Sequence, residues 1–228
     1  MFNIEWVGSP NYRSGRNGKQ PIAIVDHITA GLFPGCLTWM QNPKAQASAH
    51  YLVTKTGRIF QLVKDEDSAW HAGGVNKPNW SLYDGTNPNT YTIGIEHEGL
   101  AGEGLTEEQF NATAWLHAHL IEKWKLPIDD NHIIGHYRID SVNRPNCPGS
   151  KFPWNSLFKV LKGETEKPII QTGSNFIQLG FVPFYKEELS TGEKKRFIVH
   201  KDAYNYVCFW EDGTVTLHSK DKEVKQII

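Results

Sequence analysis

The first 160 residues alternate between short apolar runs and polar or turn-forming segments. The run 22–26, "IAIVD", is short and rich in β-branched residues, which predicts a buried strand that ends at His27. The segment 51–63, "YLVTKTGRIFQLV", has two apolar runs on either side of a Lys-Thr-Gly turn and predicts a hairpin. Two more extended segments are predicted at 91–99, "YTIGIEHEG", and at 132–136, "HIIGH".

Helical periodicity is clearest in the segment 105–124, "LTEEQFNATAWLHAHLIEKW", where apolar and aromatic residues recur at intervals of three and four. Thr106 is the predicted N-cap of this helix, and Gln109 is its predicted capping-box partner. A shorter helix is predicted at 154–162, "WNSLFKVLK". Strands that alternate with helices predict an α/β fold in which helices flank a mixed central β-sheet.

The composition changes after this helix. The segment 163–175, "GETEKPIIQTGSN", is polar, contains proline and glycine, and is typical of a linker. The remainder has short runs with strand-like alternation, and an Asp-Gly pair in "WEDGT" predicts a hairpin turn. We therefore predict a first domain at 1–162, a linker at 163–175 and a small β-rich C-terminal module at 176–228.

Charge and composition exclude several classes of protein. The formal net charge is −1, which provides no basic surface for nucleic acid or for an acidic membrane. No apolar run approaches the length of a membrane span, and the N-terminal segment has no apolar signal core, so neither membrane insertion nor a secretory signal peptide is predicted. The three cysteines, Cys36, Cys147 and Cys208, form no disulfide framework, which leaves a thiol available as a ligand or nucleophile.

Two predicted strands end in histidine, and one cysteine lies in a proline-rich loop. His27 and His136 follow the apolar runs, and Cys147 lies between Pro145 and Pro148 in "NRPNCPGSKFP". Zinc binds imidazole nitrogen and thiolate sulfur, and a catalytic zinc has three protein ligands and one open position. The spacing matches no compact zinc motif, so two hydrogen-bonded core histidines and a buried thiol are the alternative interpretation.

An acidic residue interrupts the apolar strand at 91–99. Because side chains alternate between the faces of a strand, Gly94, Glu96 and Glu98 share one face, opposite two isoleucines and a histidine. A carboxylate beside a glycine in such a strand can project into a cleft and act as a base. The alternative is a pair of acids that face solvent.

Four further histidines have less specific surroundings. His117 and His119 are two residues apart on the predicted helix and therefore point in different directions, so we predict that His117 packs or hydrogen bonds while His119 faces water. His50, in "SAHYLV", and His71, in "AWHAGG", lie beside aromatic residues. They are predicted either to border a cleft or to pack at the edge of the sheet.

Taken in order, several segments resemble the type 2 N-acetylmuramoyl-L-alanine amidases, the zinc amidases that include many phage endolysins and bacterial autolysins and are related to the peptidoglycan recognition proteins. The resemblance covers residues 1–160 and is carried by "IAIVDHITAG", "SAHYLVTKTGRIFQLV", "AWHAGG", "NTYTIGIEHEG", "LTEEQFNATAWL", "IIGHYRID" and "RPNCPG". It implies a mixed, mostly six-stranded sheet flanked by helices, with zinc in a shallow groove.

The resemblance also implies roles for particular residues. His27, His136 and Cys147 match the positions of the zinc ligands, with the cysteine at a place where relatives have Asp or Cys before a proline. Glu96 matches the acid that serves as the base, and Glu98 is a second, lower-ranked choice.

One departure from the family pattern concerns the oxyanion. Many members carry a lysine two residues before the third ligand, where this chain has Pro145. Arg144 and Asn146 flank that position. Arg144, which is permanently charged, is the predicted replacement, and Asn146 is the other candidate.

The implied function is zinc-dependent hydrolysis of the amide bond between N-acetylmuramic acid and L-alanine in bacterial peptidoglycan, with no organic cofactor. The expected setting is a phage or prophage endolysin that is made in the bacterial cytoplasm without a signal peptide and acts on the cell wall. The alternatives are a non-catalytic peptidoglycan-binding protein, which would typically lack a zinc ligand, and a hydrolase that uses Cys147 as nucleophile with His136 as base.

The C-terminal module has two predicted uses. Its aromatic residues could stack on wall sugars; these are Tyr204, Tyr206, Phe209 and Trp210. They could equally form a small core, and an exposed strand edge would allow the protein to form a homodimer rather than remain a monomer.

Overall fold

The computed structural model describes residues 2–164 and, beyond them, only the backbone of the strands at 169–172, 175–178, 187–188, 196–200, 206–210, 215–219 and 222–226. The chain divides into two compact units, Phe2–Glu164 and Thr165–Ile228. The predicted metal ligands and catalytic residues all belong to the first unit.

The first unit is a mixed α/β domain. Its strands are β1 (Ile4–Trp6), β2 (Tyr12–Arg13), β3 (Ala23–Ile28), β4 (Tyr51–Val53), β5 (Ile59–Gln61), β6 (Ser68–Ala69), β7 (Thr92–His97) and β8 (Ile133–Gly135). Its α-helices are α1 (Gly35–Gln41), α2 (Glu107–Trp124) and α3 (Trp154–Leu161). Short 3-10 helices occupy Pro43–Ala45, Pro88–Thr90 and His136–Arg138.

Six strands form the central sheet in the order β1-β5-β4-β7-β3-β8, while β2 and β6 pair separately. The pairs β4–β7, β7–β3, β3–β8 and β1–β5 are parallel, and only β4–β5 is antiparallel. The predicted hairpin at 51–63, the strands predicted at 22–26, 91–99 and 132–136, and both predicted helices are confirmed, while the turn predicted in "WEDGT" lies outside the described residues. The six-stranded mixed sheet expected from the resemblance is confirmed as well.

The neighbouring strands β3 and β7 have a largely apolar face against α2 and another face that carries polar side chains. In the parallel register His27 lies opposite Glu96, and Val25 lies opposite Gly94. The alternate residues of both strands face α2, where they form an apolar core with the helix; this core includes Ile24, Ile93, Ile95, Ala112, Leu116 and Leu120. The face with His27 and Glu96 is therefore left for the candidate site.

Helix α2 has one of the two hydrogen bonds of the predicted capping box. Thr106 Oγ1 accepts a hydrogen bond from the backbone N–H of Gln109 at 3.1 Å. The reciprocal half of the predicted capping box is wrong, because the buried Gln109 side chain donates instead to the carbonyl oxygens of Val53 and Glu98. The glutamine therefore attaches the helix to the sheet, which a local motif could not reveal.

Helix α1 and the edge strand β1 were not predicted from the sequence. Helix α1 has seven residues, of which only Cys36 and Met40 are buried, too few to establish a period. Strand β1 has three residues and leaves Trp6 exposed. Among the described residues, no helix combines the length and apolar character needed to cross a membrane.

The second unit contains two antiparallel sheets. Ile169–Thr172 pairs with Asn175–Gln178, and a five-stranded sheet orders the strands Glu187–Glu188, Arg196–His200, Tyr206–Trp210, Val215–Ser219 and Lys222–Gln226 in sequence. The first pair overlaps the predicted linker at 163–175, whose limits, like those of the two domains, stay predictions. The side chains of the aromatic residues proposed to bind sugar lie outside the described part of the chain.

Candidate metal centre

His27 lies near the C-terminal end of β3, an interior strand that pairs with β7 and with the edge strand β8. Its carbonyl oxygen accepts a hydrogen bond from Nδ1 of His97 at 2.9 Å, which fixes the strand end from the helix side. On the other face, Nδ1 of His27 lies 3.8 Å from Sγ of Cys147. The centre of its ring lies 4.5 Å from that of His136. The two predicted histidine ligands and the cysteine are thus brought together.

A local loop places Cys147 next to His136. The backbone N–H of Tyr137 donates to the carbonyl of Cys147 at 3.1 Å, so the loop returns to the turn that begins at His136. A Cβ atom at Gly135 would lie 2.5 Å from the Tyr137 ring and 2.8 Å from Pro148, so glycine is needed for this close return. The position of the cysteine follows from the backbone of its own loop.

The three side chains match the requirements of a zinc site. One ligand atom from each of His27, His136 and Cys147 lies within 4.8 Å of the other two. Nε2 of His136 is buried and has no hydrogen-bond partner among the described residues, so this nitrogen is available to a ligand. Two imidazoles and one thiolate form a donor set suited to catalytic zinc. The residues therefore fit the metal that the family resemblance implies.

The protonation states favour binding of a cation. Burial, helped by neighbouring histidines, holds the pKa of His27 well below its usual value, and burial with the charge of Arg144 lowers the pKa of His136 to about 4. Both imidazoles are therefore neutral near pH 7. Burial and the nearby carboxyl of Glu96 raise the pKa of the Cys147 thiol to about 12. A metal ion that binds here must displace the thiol proton.

Glu96 and Glu98 have different surroundings although they share one face of the strand. Oε2 of Glu96 is buried with no hydrogen-bond partner among residues 2–164, and burial raises the pKa of this carboxyl to about 8 against the opposing charge of Arg144. The carboxylate of Glu98 accepts hydrogen bonds from the backbone N–H groups of Phe33 and Lys55 at 3.0 and 2.7 Å. Glu98 therefore stabilises two loops, and Glu96 is the carboxyl with an unused oxygen.

The site opens into a cleft of about 1260 Å³ that includes all three candidate ligands, Glu96 and Arg144 in its lining. Arg144 is exposed, and its Nη1 donates to the carbonyl oxygen of Asn143 at 3.2 Å. Asn146 lines the same cleft. Both candidates for the oxyanion donor are thus beside the cleft, and only Arg144 adds a positive charge.

The remaining histidine predictions have clear outcomes. His117 is fully buried and His119 is exposed, as predicted. His50 is buried and its Nδ1 accepts the backbone N–H of Gly94 at 3.0 Å, so it packs rather than lines the cleft. His71 lines the cleft, and its Nδ1 lies 3.0 Å from Nε2 of His27. The motif "AWHAGG" indicated the cleft, but a contact across 44 positions leaves no local signal.

Residues 17–150 match the family model described as N-acetylmuramoyl-L-alanine amidase. The chain is 32% identical over 181 residues to N-acetylmuramoyl-L-alanine amidase A of Achromobacter lyticus, an alignment that covers 71% of this chain and 94% of the relative. It is 30% identical to the 1,6-anhydro-N-acetylmuramyl-L-alanine amidase AmpD of Citrobacter freundii, over 68% of this chain and 88% of that protein.

A solved structure shows a similar fold. The amidase AmiD from Escherichia coli, in complex with the substrate anhydro-N-acetylmuramic acid-L-Ala-D-gamma-Glu-L-Lys, aligns with a TM-score of 0.54 and 28% sequence identity. The alignment covers 61% of this chain and 57% of that structure.

Proposed function

Because the chain belongs to the N-acetylmuramoyl-L-alanine amidase family, we propose that it is a zinc-dependent hydrolase of the amide bond between the lactyl group of N-acetylmuramic acid and L-alanine. The observation that carries this proposal is the grouping of two neutral imidazoles and a thiol within 4.8 Å, with a buried carboxyl in the same cleft. His27, His136 and Cys147 would hold the metal.

The protein residues have separate tasks in this reaction. A zinc ion held by these ligands supplies Lewis acidity, which polarises a carbonyl and acidifies water. Glu96 accepts a proton from the attacking water at its unpaired oxygen and delivers that proton to the leaving amine of L-alanine. Burial raises its pKa to about 8 in the metal-free protein, and the charge of a bound cation would lower that value toward neutral, as suits a group that must both accept and donate a proton.

Arg144 is the proposed donor to the negative charge that develops on the carbonyl oxygen. Its guanidinium is always protonated and has several N–H donors, so it can supply charge and a hydrogen bond together. The side chain is exposed, which means that water competes for the same donors. Arg144 is therefore expected to contribute less than a donor in a closed site.

The reaction is tested by the products released from purified peptidoglycan. Hydrolysis at the proposed bond creates one new amino terminus, L-alanine, for each bond cut, and it creates no reducing sugar. A chelator should abolish the release, and added Zn²⁺ should restore it. Release of a different amino terminus, or of reducing ends, would contradict the proposed bond.

The same experiment separates the alternative chemistry. A cysteine nucleophile requires a thiolate, whereas burial raises the pKa of Cys147 to about 12. Cleavage that persists in excess chelator would support the thiol mechanism. The presence of all three candidate ligands and of an unpaired acid favours an enzyme over a protein that only binds peptidoglycan.

Two kinds of substrate contain this amide bond, the wall polymer and soluble muropeptides. We propose the wall polymer as the substrate and a phage or prophage endolysin as the setting. A second candidate is a soluble 1,6-anhydro-muropeptide, because the relative from Citrobacter freundii is named for that substrate. Turnover of intact sacculi and of a purified anhydro-muropeptide, compared at equal bond concentration, distinguishes them. A preference of kcat/KM for the soluble compound would favour the second candidate.

We propose that the C-terminal module binds the wall. Its aromatic residues, Trp210 among them, are suited to stacking on sugar rings. Sedimentation of the full chain with sacculi should weaken in Trp210→Ala while hydrolysis of a soluble muropeptide stays unchanged. Light scattering would show whether the chain is a monomer or a homodimer through this module.

A further inference from the structure

His71 connects the metal centre to the sheet through two hydrogen-bonding contacts. Its Nδ1 lies 3.0 Å from Nε2 of His27, and its Nε2 lies 3.2 Å from Oγ1 of Thr92. Oγ1 of Thr92 also lies 2.8 Å from the carbonyl oxygen of Pro88. These four groups form one chain, from a backbone carbonyl to a candidate metal ligand.

This chain of four hydrogen-bonded groups has only one consistent arrangement of protons when the imidazoles are neutral. The carbonyl of Pro88 can only accept, so the single hydroxyl proton of Thr92 is donated to it. Thr92 then accepts the N–H at Nε2 of His71. A neutral imidazole has one N–H, so Nδ1 of His71 accepts, and Nε2 of His27 donates. The lone pair of His27 is left on Nδ1, the atom 3.8 Å from Sγ of Cys147.

The sheet provides a fitted position for the ring of His71. A Cβ atom at Gly94 would lie 2.5 Å from Cγ of His71, so the ring occupies the space that a side chain would fill. The backbone N–H groups of His71 and Ala72 both donate to Oδ1 of Asn89, at 3.2 and 2.7 Å. The position of the ring is therefore fixed from the sheet and from its own backbone.

We propose that His71 is a positioning residue that holds His27 in its Nε2–H tautomer and so presents Nδ1 of His27 to the metal. A histidine that binds a metal commonly donates its other N–H to an acceptor, which fixes the tautomer and the ring orientation. Here the acceptor is a second imidazole, whose own tautomer is set by Thr92 and the carbonyl of Pro88. This inference rests on the proposed zinc site.

The tautomer of His27 in the metal-free protein tests the proposal without any catalytic readout. Long-range ¹⁵N–¹H correlation spectra of the full chain distinguish an imidazole protonated at Nε2 from one protonated at Nδ1. We expect the Nε2–H form of His27 in the wild type and a mixture of tautomers in His71→Leu. An Nδ1–H form in the wild type, or an unchanged His27 signal in the variant, would overturn the proposal.

Zinc affinity, measured by competition with a chelator, gives the second readout. His71→Leu removes the acceptor and should weaken binding about 10- to 100-fold, the usual cost of losing such a partner. His71→Asn keeps a carbonyl oxygen near the position of Nδ1 and should recover most of this loss. Equal affinity in His71→Leu and the wild type would overturn the proposal, as would a failure of His71→Asn to bind more tightly than His71→Leu.

A matched pair of threonine variants controls for packing. Thr92→Val removes the acceptor of His71 and should weaken zinc binding. Thr90→Val removes the hydroxyl of another buried threonine, which donates to the carbonyl of Asn87, and it should leave affinity unchanged. Equal losses in both would overturn the proposal. A wild type without zinc would instead overturn the zinc amidase proposal, and the tautomer spectra would still decide the role of His71.

Discussion

A group of histidines lies on each side of the paired strands β3 and β7, and each group includes residues from other elements. The helix-face group lies between the sheet and α2 and consists of Asp26, His97 and His117. The cleft-face group borders the opposite face and consists of His27, His71 and His136. The two groups have similar side chains, but the described residues place a carboxylate against histidines in the helix-face group, where it raises the pKa of His117 although burial still lowers that of His97.

In the helix-face group the carboxylate of Asp26 lies close to both histidines. Oδ2 of Asp26 lies 3.2 Å from Nε2 of His117, and Oδ1 lies 3.7 Å from Nε2 of His97. Nδ1 of His117 donates to the carbonyl of Thr113 at 2.8 Å. Burial lowers the pKa of His117, but the charge and the hydrogen bond of Asp26 together raise it by more than burial lowers it. The net shift of the pKa is upward. Asp26 and His117 therefore form a buried ion pair whenever His117 is protonated.

In the cleft-face group no histidine hydrogen bonds to a carboxylate within the described residues. Burial is the largest influence on these three imidazoles and lowers the pKa of each, and the charge of Asp140 offsets this only in part at His136. Neutral imidazoles with unused lone pairs are metal ligands, whereas a protonated imidazole is not. The comparison indicates that a carboxylate within hydrogen-bond distance can raise the pKa of a buried histidine, as at His117, whereas buried imidazoles without one stay neutral and can bind a metal.

Removal of a ligand should have the largest effect. Cys147→Ser and His136→Ala are each expected to lose both zinc and amidase activity, because two remaining ligands do not retain the metal in the presence of competing chelators. Zinc content and the appearance of new N-terminal L-alanine measure the outcome. His119→Ala, an exposed histidine on α2, is the control and should change neither. A Cys147→Ser protein with full zinc would exclude this cysteine as a ligand.

Glu96→Gln should separate metal binding from catalysis. The amide keeps the shape of the carboxyl but cannot accept a proton, so we expect zinc to remain and kcat to fall about 10²- to 10⁴-fold. Glu122→Gln on the exposed side of α2 is the matched control. Lysis that survives in Glu96→Gln would move the base to Glu98 or to another group.

His117→Leu should break the helix-face group. It leaves Asp26 buried without its partner, which costs about 3–5 kcal/mol in the free energy of unfolding. Denaturation in urea of the zinc-free full chain measures the loss. His119→Leu, two residues along the helix and exposed, should change the free energy by less than about 0.5 kcal/mol. Equal stabilities of the two variants would mean that the ion pair is absent.

The stability difference between the wild type and His117→Leu should depend on pH. Because the pKa of His117 is raised in the folded state, its contribution is complete below the ordinary histidine pKa of 6.5. The contribution disappears as the pH rises through the raised value. The difference should therefore narrow on the alkaline side, and a gap that widens there would contradict the ion pair.

Arg144→Ala should have the smallest effect on activity. An exposed donor is screened by water, so we expect kcat to fall about 10- to 100-fold, near or below the lower end of the range for a closed oxyanion site. Zinc content should not change. Arg144→Lys keeps the charge and should recover part of the rate, whereas a rate for Arg144→Ala equal to that of the wild type would leave Asn146 as the candidate donor.

The sequence predicted the parts of the fold that have a period. Strands β3 and β7 and helix α2 each contain enough alternating or helical positions to be recognised, while α1 has only two buried residues. Opposite faces for Glu96 and His97 followed from strand alternation alone. The pairing of His117 with Asp26 could not be predicted, because these residues are 91 positions apart.

Less of the candidate site than of the fold could be predicted from the pattern of residues. Spacing alone left core histidines as an alternative for His27 and His136, and only the ordered resemblance named them as ligands with Cys147. The role proposed for His71 depends on Gly94, which provides space for its ring, and on the hydroxyl of Thr92. Such relations arise from the folded sheet and have no counterpart in the spacing of residues.

The most direct test of the contrast between the two groups is the zinc content of the purified full chain, measured by elemental analysis in the wild type and in Cys147→Ser. The account predicts about one zinc per chain in the wild type, as for a single three-ligand site, and essentially none in the variant. A wild type that contains no zinc and still creates new N-terminal L-alanine in peptidoglycan in excess chelator would contradict it.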